Sequence, residues 1–486
     1  MNKIVTVDWL PDKKSKEPVY QQIVNYISKK ISNGDWAIGY YLPPQRVLAE
    51  KLKVNRSTIS IALDILKSYG IIEGKSGKGT AIISNTWSIM ISSNEANWGS
   101  YVKSGFFKEN LPTIQLINKL EFVEGITRLG TGEMSPKLFP KEAITKAMNS
   151  LTPKMSNLSY LGPLGLDELR ETLSYRLKSF GINASPSNIL ITSGSLQALQ
   201  LISISMLKPN SKIFCEIPSY INSLQVFQSA GMRLEGITMD SEGLQYWNMG
   251  EDMKCGDASS LLYTIPTHHN PTGIVMSEQR RKEVYKFCSR NAIPIIEDDA
   301  YCELYHGEKP PKSIKAMDVS GSVLYLGTAS KSLAPGLRIG WVVGPESIIE
   351  RLGDVKMQSD YGASSLSQMV LNEVLINGSY DEFLIQFRTI LVRRKNRMLE
   401  ALNQYFKDIA KWNNPTGGYY IWLDFIDEVP VEKLFNEALN KGLLLNTGNI
   451  YHVSKTNSLR LSFAYVDEEL INQSIKELSR IVRSLV

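Results

Sequence analysis

Residues 328–338 read Thr-Ala-Ser-Lys-Ser-Leu-Ala-Pro-Gly-Leu-Arg and follow the apolar run 323–327, which has the length and composition of a buried β-strand. Five more short apolar runs alternate with helical patterns in the second part of the chain. The six predicted strands are 188–192, 212–217, 260–265, 294–297, 323–327 and 340–343. This alternation predicts an α/β fold with a mainly parallel central sheet from about residue 111 onward.

Candidate ligand-binding groups follow the predicted strands, at the edge where open α/β sheets bind their ligands. Gly194 and Ser195 begin a helical pattern after the first strand, and backbone N–H groups at a helix N-terminus bind phosphate. Tyr220 follows the second strand and offers an aromatic face that could cover a flat heteroaromatic ring. Taken singly, each of these signals has low specificity.

The remaining strand ends carry more specific chemistry. Asn270 lies in the run His-His-Asn-Pro-Thr-Gly at 268–273. Asp298 follows a buried strand, where a carboxylate requires a positive partner such as a pyridinium nitrogen. Lys331 lies seven residues before Arg338 in the segment quoted above. A cofactor with a phosphate, a ring nitrogen, a phenolic oxygen and an aldehyde therefore finds a partner for each group, in chain order.

The first 83 residues follow a different pattern, in which apolar residues recur at helical spacing. Three helices are predicted, beginning near Val19, within 42–46 and after the N-cap residue Asn55. Two short strands, 71–73 and 80–83, then flank a glycine-rich turn. The order of three helices and a hairpin predicts a winged helix, whose third helix enters the major groove of DNA.

Positive charge is concentrated in the same N-terminal part. Residues 1–80 hold thirteen Lys and Arg against seven Asp and Glu, a net charge of +6, which leaves −1 for residues 81–486. Such a basic domain attracts nucleic-acid phosphate, although a solvated basic surface gives the same count. The start of the third helix, Asn55-Arg56-Ser57-Thr58, adds side chains that reach phosphates and base edges.

The stretch LPPQRVLAEKLKVNRSTISIALDILKSYGIIEGKSGKGT, residues 42–80, resembles the GntR-type winged helix almost without gaps. The resemblance implies a double-stranded DNA operator as partner. The DNA contacts that it implies are Arg46, Arg56, Ser57, Thr58 and, on the wing, Lys78. A helical protein-interaction module is the alternative that the pattern leaves open.

Residues 111–486 resemble fold-type I aminotransferases, which bind pyridoxal 5'-phosphate (PLP). The resemblance implies that Lys331 forms the Schiff base, that Asp298 pairs with the pyridine nitrogen and that Tyr220 stacks on the ring. It implies Asn270 and Tyr301 as partners of the phenolic oxygen. The implied phosphate partners are Gly194, Ser195, Thr328, Ser330 and Arg338. Arg460 resembles the arginine that holds a substrate carboxylate through two parallel hydrogen bonds, with Asn270 also on the substrate side.

Three of these assignments have alternatives. Asp299 could replace Asp298 as the partner of the ring nitrogen, and Arg460 could belong to a structural ion pair. Tyr160 resembles a residue that reaches the site of a neighbouring subunit, and ordinary packing is its alternative.

The chain also departs from the aminotransferase pattern at two places. Leu196, in the cofactor-binding turn after the first strand, stands where many relatives have glutamine. This puts one polar contact in doubt, while its backbone could still contact the phosphate. His268 and His269 replace more usual polar residues before the Asn-Pro-Thr-Gly run and are candidates for shaping ligand choice.

A GntR-type winged helix followed by an aminotransferase-like domain resembles the MocR/GabR class of bacterial regulators over essentially the whole chain. The resemblance implies a homodimer. Residues 84–110 break the periodic pattern, so we divide the chain into a DNA-binding domain at 1–83, a linker at 84–110 and, at 111–486, a domain for PLP binding, effector sensing and dimerisation. The expected function is regulation of transcription in response to an amino acid or amine. The amine of this effector would displace Lys331 to form an external aldimine, and the effector carboxylate would bind Arg460.

Two other functions stay open at this point. A working aminotransferase that carries a winged helix is one, because all the groups for transamination are present. A DNA-binding protein whose large domain has lost PLP is the other.

Composition bears on compartment and on metal binding. No apolar stretch is long enough to span a bilayer and residues 1–12 lack a signal pattern, so we expect a cytoplasmic protein without a membrane partner. The four cysteines have no CxxC spacing and the four histidines form no metal pattern. We therefore expect neither a disulfide framework nor a metal site.

Overall fold

In a computed structural model the chain divides into two compact units, residues 1–105 and 106–486. The structure describes residues 4–75, 79–84, 104–105, 110–155, 157–220, 225–250, 259–452 and 454–486. Lys78 and most of the predicted linker at 84–110 lie outside the described residues. Within the described ranges, no helix combines the length and the apolar character needed to cross a membrane.

The first unit consists of three helices and a small antiparallel sheet, which confirms the predicted winged helix. Its elements are α1 (Val19–Ser32), α2 (Gln45–Lys51), α3 (Arg56–Ser68), β1 (Tyr41–Leu42), β2 (Ile72–Lys75) and β3 (Gly79–Ile82), with strand order β1-β3-β2. The sequence did not predict β1, because a strand of two residues has no pattern of its own. Pro43 and Pro44 keep the preceding backbone extended, so α2 begins only at Gln45.

The core of the first unit comes from apolar residues at helical spacing. Ile23 and Ile27 of α1 pack in one cluster with Ile59, Leu63 and Leu66 of α3, and all five are buried. Each such side chain contributes about 1.5 to 3 kcal/mol when it is buried. This packing fixes α3 by its apolar face and leaves its polar N-terminal end on the surface.

The second unit is built on an eight-stranded sheet in the order β5-β12-β11-β10-β9-β6-β7-β8. The strands are β5 (Ile189–Thr192), β6 (Lys212–Ile217), β7 (Arg233–Asp240), β8 (Gly243–Leu244), β9 (Ser260–Thr264), β10 (Ile295–Asp298), β11 (Val323–Thr328) and β12 (Gly340–Val343). The four pairs between β7, β6, β9, β10 and β11 are parallel, whereas β12 is antiparallel to β11 and β5, and β8 to β7. The predicted mainly parallel sheet is therefore confirmed.

Two smaller sheets and a set of helices complete the second unit. A four-stranded antiparallel sheet has the order β13-β14-β17-β16, and β4 pairs in parallel with β15. These strands are β4 (Thr127–Arg128), β13 (Ala410–Trp412), β14 (Tyr420–Phe425), β15 (Leu443–Leu444), β16 (Asn446–Thr447) and β17 (Ser458–Ser462). The helices are α4 (Pro112–Leu120), α5 (Lys141–Leu151), α6 (Asp167–Lys178), α7 (Ser195–Met206), α8 (Val226–Ser229), α9 (Glu278–Arg290), α10 (Glu346–Ser359), α11 (Ser365–Ile376), α12 (Ser379–Tyr405), α13 (Val431–Asn440) and α14 (Glu468–Arg483).

The topology brings distant parts of the chain to one edge of the large sheet. Strands β10 and β11 are buried along their whole length, as continuous apolar runs in a parallel sheet require. Their carboxyl ends therefore point the same way and present the residues that follow them at one edge. The four-stranded sheet contributes Arg460 from β17. The chain after β4 contributes residues 130–133, which we call the glycine segment.

Candidate cofactor and DNA-binding sites

Lys331 lies just past the carboxyl end of β11 and is half-buried. Its Nζ donates a hydrogen bond to the carbonyl oxygen of Gly132 at 2.6 Å. The hydroxyl of Tyr419 donates to the carbonyl oxygen of Lys331 and so holds the backbone of this turn. The amine thus projects towards the glycine segment, and its backbone position is fixed from the small sheet.

Asp298 ends β10 and is buried. The hydroxyl of Tyr263 on β9 donates to its Oδ2 at 2.8 Å, while Oδ1 has no hydrogen-bond partner in the structure. Burial raises the pKa of Asp298 to about 6, although the hydrogen bond from Tyr263 opposes the shift. A buried carboxylate with one free oxygen calls for a cationic donor, as a protonated ring nitrogen is.

Asp299, the alternative partner of the ring nitrogen, has different neighbours. Its backbone N–H donates to the carbonyl oxygen of Leu326 at 3.0 Å. Burial raises the pKa of its side chain, and the guanidinium of Arg281 is the largest opposing influence. Asp299 therefore lies within electrostatic reach of a buried arginine, whereas Asp298 is bound to Tyr263.

The turn before α7 and the turn after β11 lie side by side. Gly194 has a φ of +92° and precedes Ser195, the first residue of α7. A Cβ at Gly194 would lie 2.8 Å from Nη2 of Arg338, and a Cβ at Gly340 would lie 2.8 Å from the Gly194 carbonyl carbon. The positive φ favours glycine at 194, and a side chain at 340 would meet the backbone of Gly194. The two turns therefore approach closely at the N-terminus of α7, where backbone N–H groups can bind an anion.

Hydroxyl groups complete this candidate anion site. Ser330 is buried and its Oγ has no partner, whereas the Oγ1 of Thr328 accepts from the Ser330 backbone N–H at 3.1 Å. Arg338 is exposed and donates to the carbonyl oxygen of Ser193 at 3.3 Å. Across the described part of the chain, no carboxylate lies within ion-pair distance of Arg338. Its charge is therefore available to an anionic ligand.

The side chain of Leu196 is 43% exposed and takes no part in this arrangement. The next residue, Gln197, has a positional role that the sequence analysis missed. Its Oε1 accepts from the backbone N–H of Ser193 at 2.7 Å, and its Nε2 donates to Asp360 at 2.5 Å. Gln197 thus ties the turn before α7 to the end of α10.

Arg460 lies on β17 and is 3% exposed. It donates to Oδ1 of Asn270 at 2.8 Å and to the carbonyl oxygen of Gly130 at 2.5 Å. Its guanidinium carbon lies 4.2 Å from the ring centroid of Tyr420 and 4.7 Å from that of Tyr451. No carboxylate in the described residues pairs with it, so the structural ion pair considered as an alternative is not formed there.

Tyrosines surround Lys331 and Arg460. Tyr301 is buried and its hydroxyl is 2.8 Å from that of Tyr420. Burial raises the pKa of Tyr301 well above its ordinary value, so it stays a neutral donor at physiological pH. Tyr220 is half-buried. Burial is the largest cause that raises its pKa and the nearby Tyr420 is the next, while Arg460 opposes the shift. Tyr220 and Tyr301 therefore both lie within electrostatic reach of Tyr420 and Arg460.

His268 and His269 lie in the loop after β9 and are both buried. Burial lowers the pKa of each to about 3, so both are neutral at physiological pH. His269 Nδ1 lies 2.8 Å from Oγ1 of Thr272, within the Asn-Pro-Thr-Gly loop. Tyr160 is 82% exposed, and its ring meets only that of Tyr361, at 4.9 Å, among the described aromatic residues.

The candidate DNA-binding residues lie together on the surface of the first unit. Asn55 is the N-cap of α3, although its side chain makes no capping hydrogen bond. Arg46, Asn55, Arg56 and Ser57 are exposed, and Thr58 is half-buried. The structure thus leaves the side chains at the start of α3 free to contact a ligand, and Lys78 lies outside the described residues.

Besides Gln197 and Tyr419, four residues of the candidate cofactor site had no role predicted from the sequence. Gly130 and Gly132 act through their carbonyl oxygens, which sequence does not distinguish from any others. Tyr263 was visible as a strand residue, and its alternation on β9 could have placed its side chain beside Asp298. Tyr420 follows Gly417-Gly418-Tyr419, a run that carried no recognised motif.

These residues fit a pyridoxal-type cofactor by their own chemistry. Two buried polar atoms without partners, Asp298 Oδ1 and Ser330 Oγ, are of the types that bind a protonated ring nitrogen and a phosphate oxygen. The positive φ of Gly194 and the close approach of Gly340 to its backbone keep this turn free of side chains at the N-terminus of α7. The Lys331 amine also lies within electrostatic reach of Asp298, since it opposes the rise of that carboxylate's pKa.

Comparison with known proteins matches two families to separate parts of the chain. The family model described as aminotransferase class I and II matches residues 124–478, and that of the bacterial regulatory proteins of the gntR family matches residues 19–82. The YisV protein of Bacillus subtilis strain 168, described as an uncharacterized HTH-type transcriptional regulator, is 47% identical over 98% of this chain and 99% of its own length. The HTH-type transcriptional regulator NorG of Staphylococcus aureus strain N315 is 37% identical over 91% of this chain and 100% of its own length.

Among solved structures, the kynurenine aminotransferase of Pyrococcus horikoshii, crystallised with PMP, superposes with a TM-score of 0.74. It is 33% identical and covers 81% of this chain and 98% of its own. The resemblance to the MocR/GabR class is therefore confirmed. The chain belongs to the HTH-type transcriptional regulators in which a GntR-type DNA-binding domain precedes an aminotransferase class I and II domain, the MocR-type architecture.

Proposed function

We propose that this regulator holds PLP on Lys331 and that an amino acid or amine, bound at the same site, changes its affinity for a DNA operator. When bound, the cofactor supplies an aldehyde that can exchange the lysine amine for that of a small molecule, and a ring that withdraws electrons. The residues of the chain bind and orient both partners.

The cofactor would be held from three sides. Asp298, fixed by Tyr263, would keep the ring nitrogen protonated. Gly194, Ser195, Ser330 and Arg338 would bind the phosphate through backbone and side-chain donors. Tyr220 would cover the ring, while Tyr301 would donate to the phenolic oxygen.

The effector would be oriented by Arg460 and Lys331. Arg460 carries two donors on a planar guanidinium, which matches a carboxylate bidentately. Asn270 supports Arg460 through its Oδ1 and would share the phenolic oxygen with Tyr301. An incoming carboxylate would accept the hydrogen bond that Arg460 now donates to the Gly130 carbonyl oxygen.

On the DNA side, a homodimer would place two copies of α3 on two half-sites. The effector can shift the equilibrium between DNA-bound and free arrangements only by binding one of them more tightly. The coupling must therefore pass through groups that contact the effector, and the glycine segment is such a group.

The single observation that carries this proposal is the buried pairing of Tyr263 with Asp298 beside a lysine amine. A carboxylate in that position with a free Oδ1 has a clear use when a ring nitrogen is its partner. It is otherwise costly, as the raised pKa of Asp298 indicates.

The test uses the full chain loaded with PLP and DNA selected by the protein from a random pool. Amino acids and amines are added one at a time, and the absorption band of the lysine-bound cofactor and the DNA affinity are recorded at one salt concentration. We expect at least one compound to change both signals, with coinciding midpoints. A spectral change with unaltered DNA affinity for every compound would contradict the regulatory role.

The same experiment separates sensing from turnover. A lasting spectral change without keto acid supports sensing. Stoichiometric release of keto acid, with conversion of the cofactor to its amine form, supports a working aminotransferase that carries a winged helix.

A further inference from the structure

Asp360 directly follows α10 and contacts both sides of the turn before α7. Its Oδ2 accepts a hydrogen bond from the Oγ of Ser193 at 3.3 Å and another from the Nε2 of Gln197 at 2.5 Å. Ser193 lies in the turn and Gln197 in the first turn of α7, whereas Asp360 comes 167 positions after Ser193. This carboxylate therefore ties the candidate anion site to a helix that is distant in sequence.

Every hydrogen-bonding group of Ser193 is used within the domain. Its backbone N–H donates to the Oε1 of Gln197 at 2.7 Å, and its hydroxyl donates to Asp360. Its carbonyl oxygen accepts from the Nη2 of Arg338 at 3.3 Å. Neither donor of Ser193 is left for a ligand, so its contacts serve to fix the turn.

The fixed turn leaves one backbone donor directed away from it. The carbonyl oxygen of Gly194 accepts from the Oγ1 of Thr192 at 3.0 Å. The peptide bond that follows Gly194 is trans, so its C=O and N–H point in opposite directions. The N–H of Ser195 therefore points away from Thr192, and as the first residue of α7 it has no partner within the helix. This donor is where a phosphate would bind at the N-terminus of α7.

A buried lysine balances the charge of Asp360. The Nζ of Lys356 donates to the Oδ1 of Asp360 at 2.6 Å, and the side chain of Lys356 is 1% exposed, against 30% for Asp360. The backbone N–H of Gly362 donates to the same oxygen at 3.0 Å. Burial opposes the shift, but the hydrogen bond from Lys356 holds the pKa of Asp360 below its ordinary value. Asp360 is therefore a charged acceptor, which binds its donors more strongly than a neutral one.

We propose that Asp360, acting through Gln197 and Ser193, is a positioning residue for the phosphate of the cofactor. This inference rests on the proposed function of the Lys331 site and adds how that site selects a phosphorylated cofactor. A carboxylate would itself repel a phosphate, so the effect of Asp360 passes through the donors that it holds. Because the turn is ordered before the phosphate binds, less free energy is lost in ordering it on binding.

The test compares PLP with pyridoxal, which has the same aldehyde and ring nitrogen but no phosphate. Each is titrated against the cofactor-free full chain, and the absorption band of the lysine-linked form gives its dissociation constant. Asp360→Asn leaves one acceptor oxygen, which cannot replace two oxygens that separately accept from Lys356 and Gln197. We expect the variant to bind PLP about tenfold more weakly, and pyridoxal within about twofold of the unaltered protein.

A second variant tests whether Asp360 acts through Gln197. Gln197→Met removes the link between Ser193 and Asp360, and it should also weaken PLP about tenfold and leave pyridoxal nearly unchanged. In the double variant the two losses should not add, because both substitutions break the same connection. Asp354→Asn, on an exposed residue of α10 paired with Arg351, is the matched control and should leave the binding of both compounds unchanged.

The outcomes distinguish this inference from the function on which it rests. If Asp360→Asn weakens PLP and pyridoxal equally, or leaves PLP binding unchanged, Asp360 does not position the phosphate, while the Lys331 site stands. Fully additive losses in the double variant would likewise overturn the inference. If neither compound gives the lysine-linked band with the unaltered protein, both are wrong. If only PLP gives it, binding depends wholly on the phosphate, and thermal unfolding of the cofactor-free variants replaces pyridoxal as the control for folding.

Discussion

The two units present their candidate functional groups in opposite ways. In the first unit, Arg56 and Ser57 are exposed at the start of one helix and depend on no distant residue. In the second, Asp298 and Arg460 are buried, and Arg460 contacts Gly130, 330 positions away in the chain. One site is a local surface, and the other exists only when the whole domain is folded.

This difference predicts two kinds of response to substitution. A surface site made of separate contacts loses affinity in small, nearly independent steps. A buried polar site depends on every group having its partner, so single changes remove function outright or alter stability. The following predictions test that contrast.

Lys331→Ala has the largest expected effect. Without the amine no covalent link to PLP can form, so the absorption band of the bound cofactor and the response of DNA affinity to effector should both disappear. Basal DNA affinity should stay within about twofold, because the substitution leaves the exposed residues at the start of α3 unaltered. Absorption spectra and DNA titrations check this, and a normal effector response in the variant would contradict the sensing mechanism.

Asp298→Asn should stabilise the cofactor-free protein. The folded-state pKa of about 6 lies above the ordinary 3.8, so at neutral pH the fold bears the cost of a buried charge, about 3 kcal/mol at 1.36 kcal/mol per pKa unit. This cost is absent below pH 3.8 and complete above pH 6, so stability falls as pH rises through that range. We expect the gain from the variant to be about half as large at pH 5 as at pH 7.

Denaturant unfolding of the cofactor-free protein at the two pH values measures this gain. Asp354→Asn, on an exposed residue of α10 paired with Arg351, is the control and should change stability by less than about 0.5 kcal/mol. A destabilised Asp298→Asn variant at pH 7 would show that Asp298 is not held as an unpaired buried carboxylate. PLP affinity should fall in the same variant.

Arg460→Lys should weaken the binding of an amino-acid effector roughly thirtyfold, about 2 kcal/mol, because lysine cannot donate bidentately to a carboxylate. An amine that lacks the carboxylate should bind both proteins alike. Spectral titration with an amino acid and its decarboxylated counterpart measures this difference. If the substitution weakened the binding of both compounds equally, Arg460 would have a structural role and would not bind the carboxylate.

Arg56→Ala should have the smallest effect, a loss of about 1 to 2 kcal/mol in DNA affinity and a decrease of about one in the salt slope. The cofactor spectrum should not change. Lys67→Ala is a matched control at the other end of α3, where Lys67 pairs with Asp64 at 3.2 Å. Similar losses for both variants would show that total charge, and not the start of α3, determines binding.

The contrast between the units also explains what sequence could predict. The winged helix and the central parallel strands were predicted because their signals lie within short windows, such as the apolar spacing of Ile59, Leu63 and Leu66. The groups that follow strands could be ordered along the chain. Their mutual distances could not, since Lys331 meets Gly132, 199 positions away in the chain, only in the folded domain.

The contacts that were missed share a physical cause. Gly130 and Gly132 bind through backbone carbonyl oxygens, and Tyr263 supports Asp298 from a neighbouring strand. Such contacts depend on register and topology, which residue identity does not carry. The exposure of Leu196 likewise became visible only with the orientation of α7.

The central claim is that a pyridoxal cofactor is linked to Lys331. Its most direct test is to load the full chain with PLP, reduce it with borohydride and locate the added mass by peptide mass spectrometry. We expect one modified peptide, with the cofactor on the Nζ of Lys331. An unmodified Lys331, or a cofactor attached at another lysine, would contradict it.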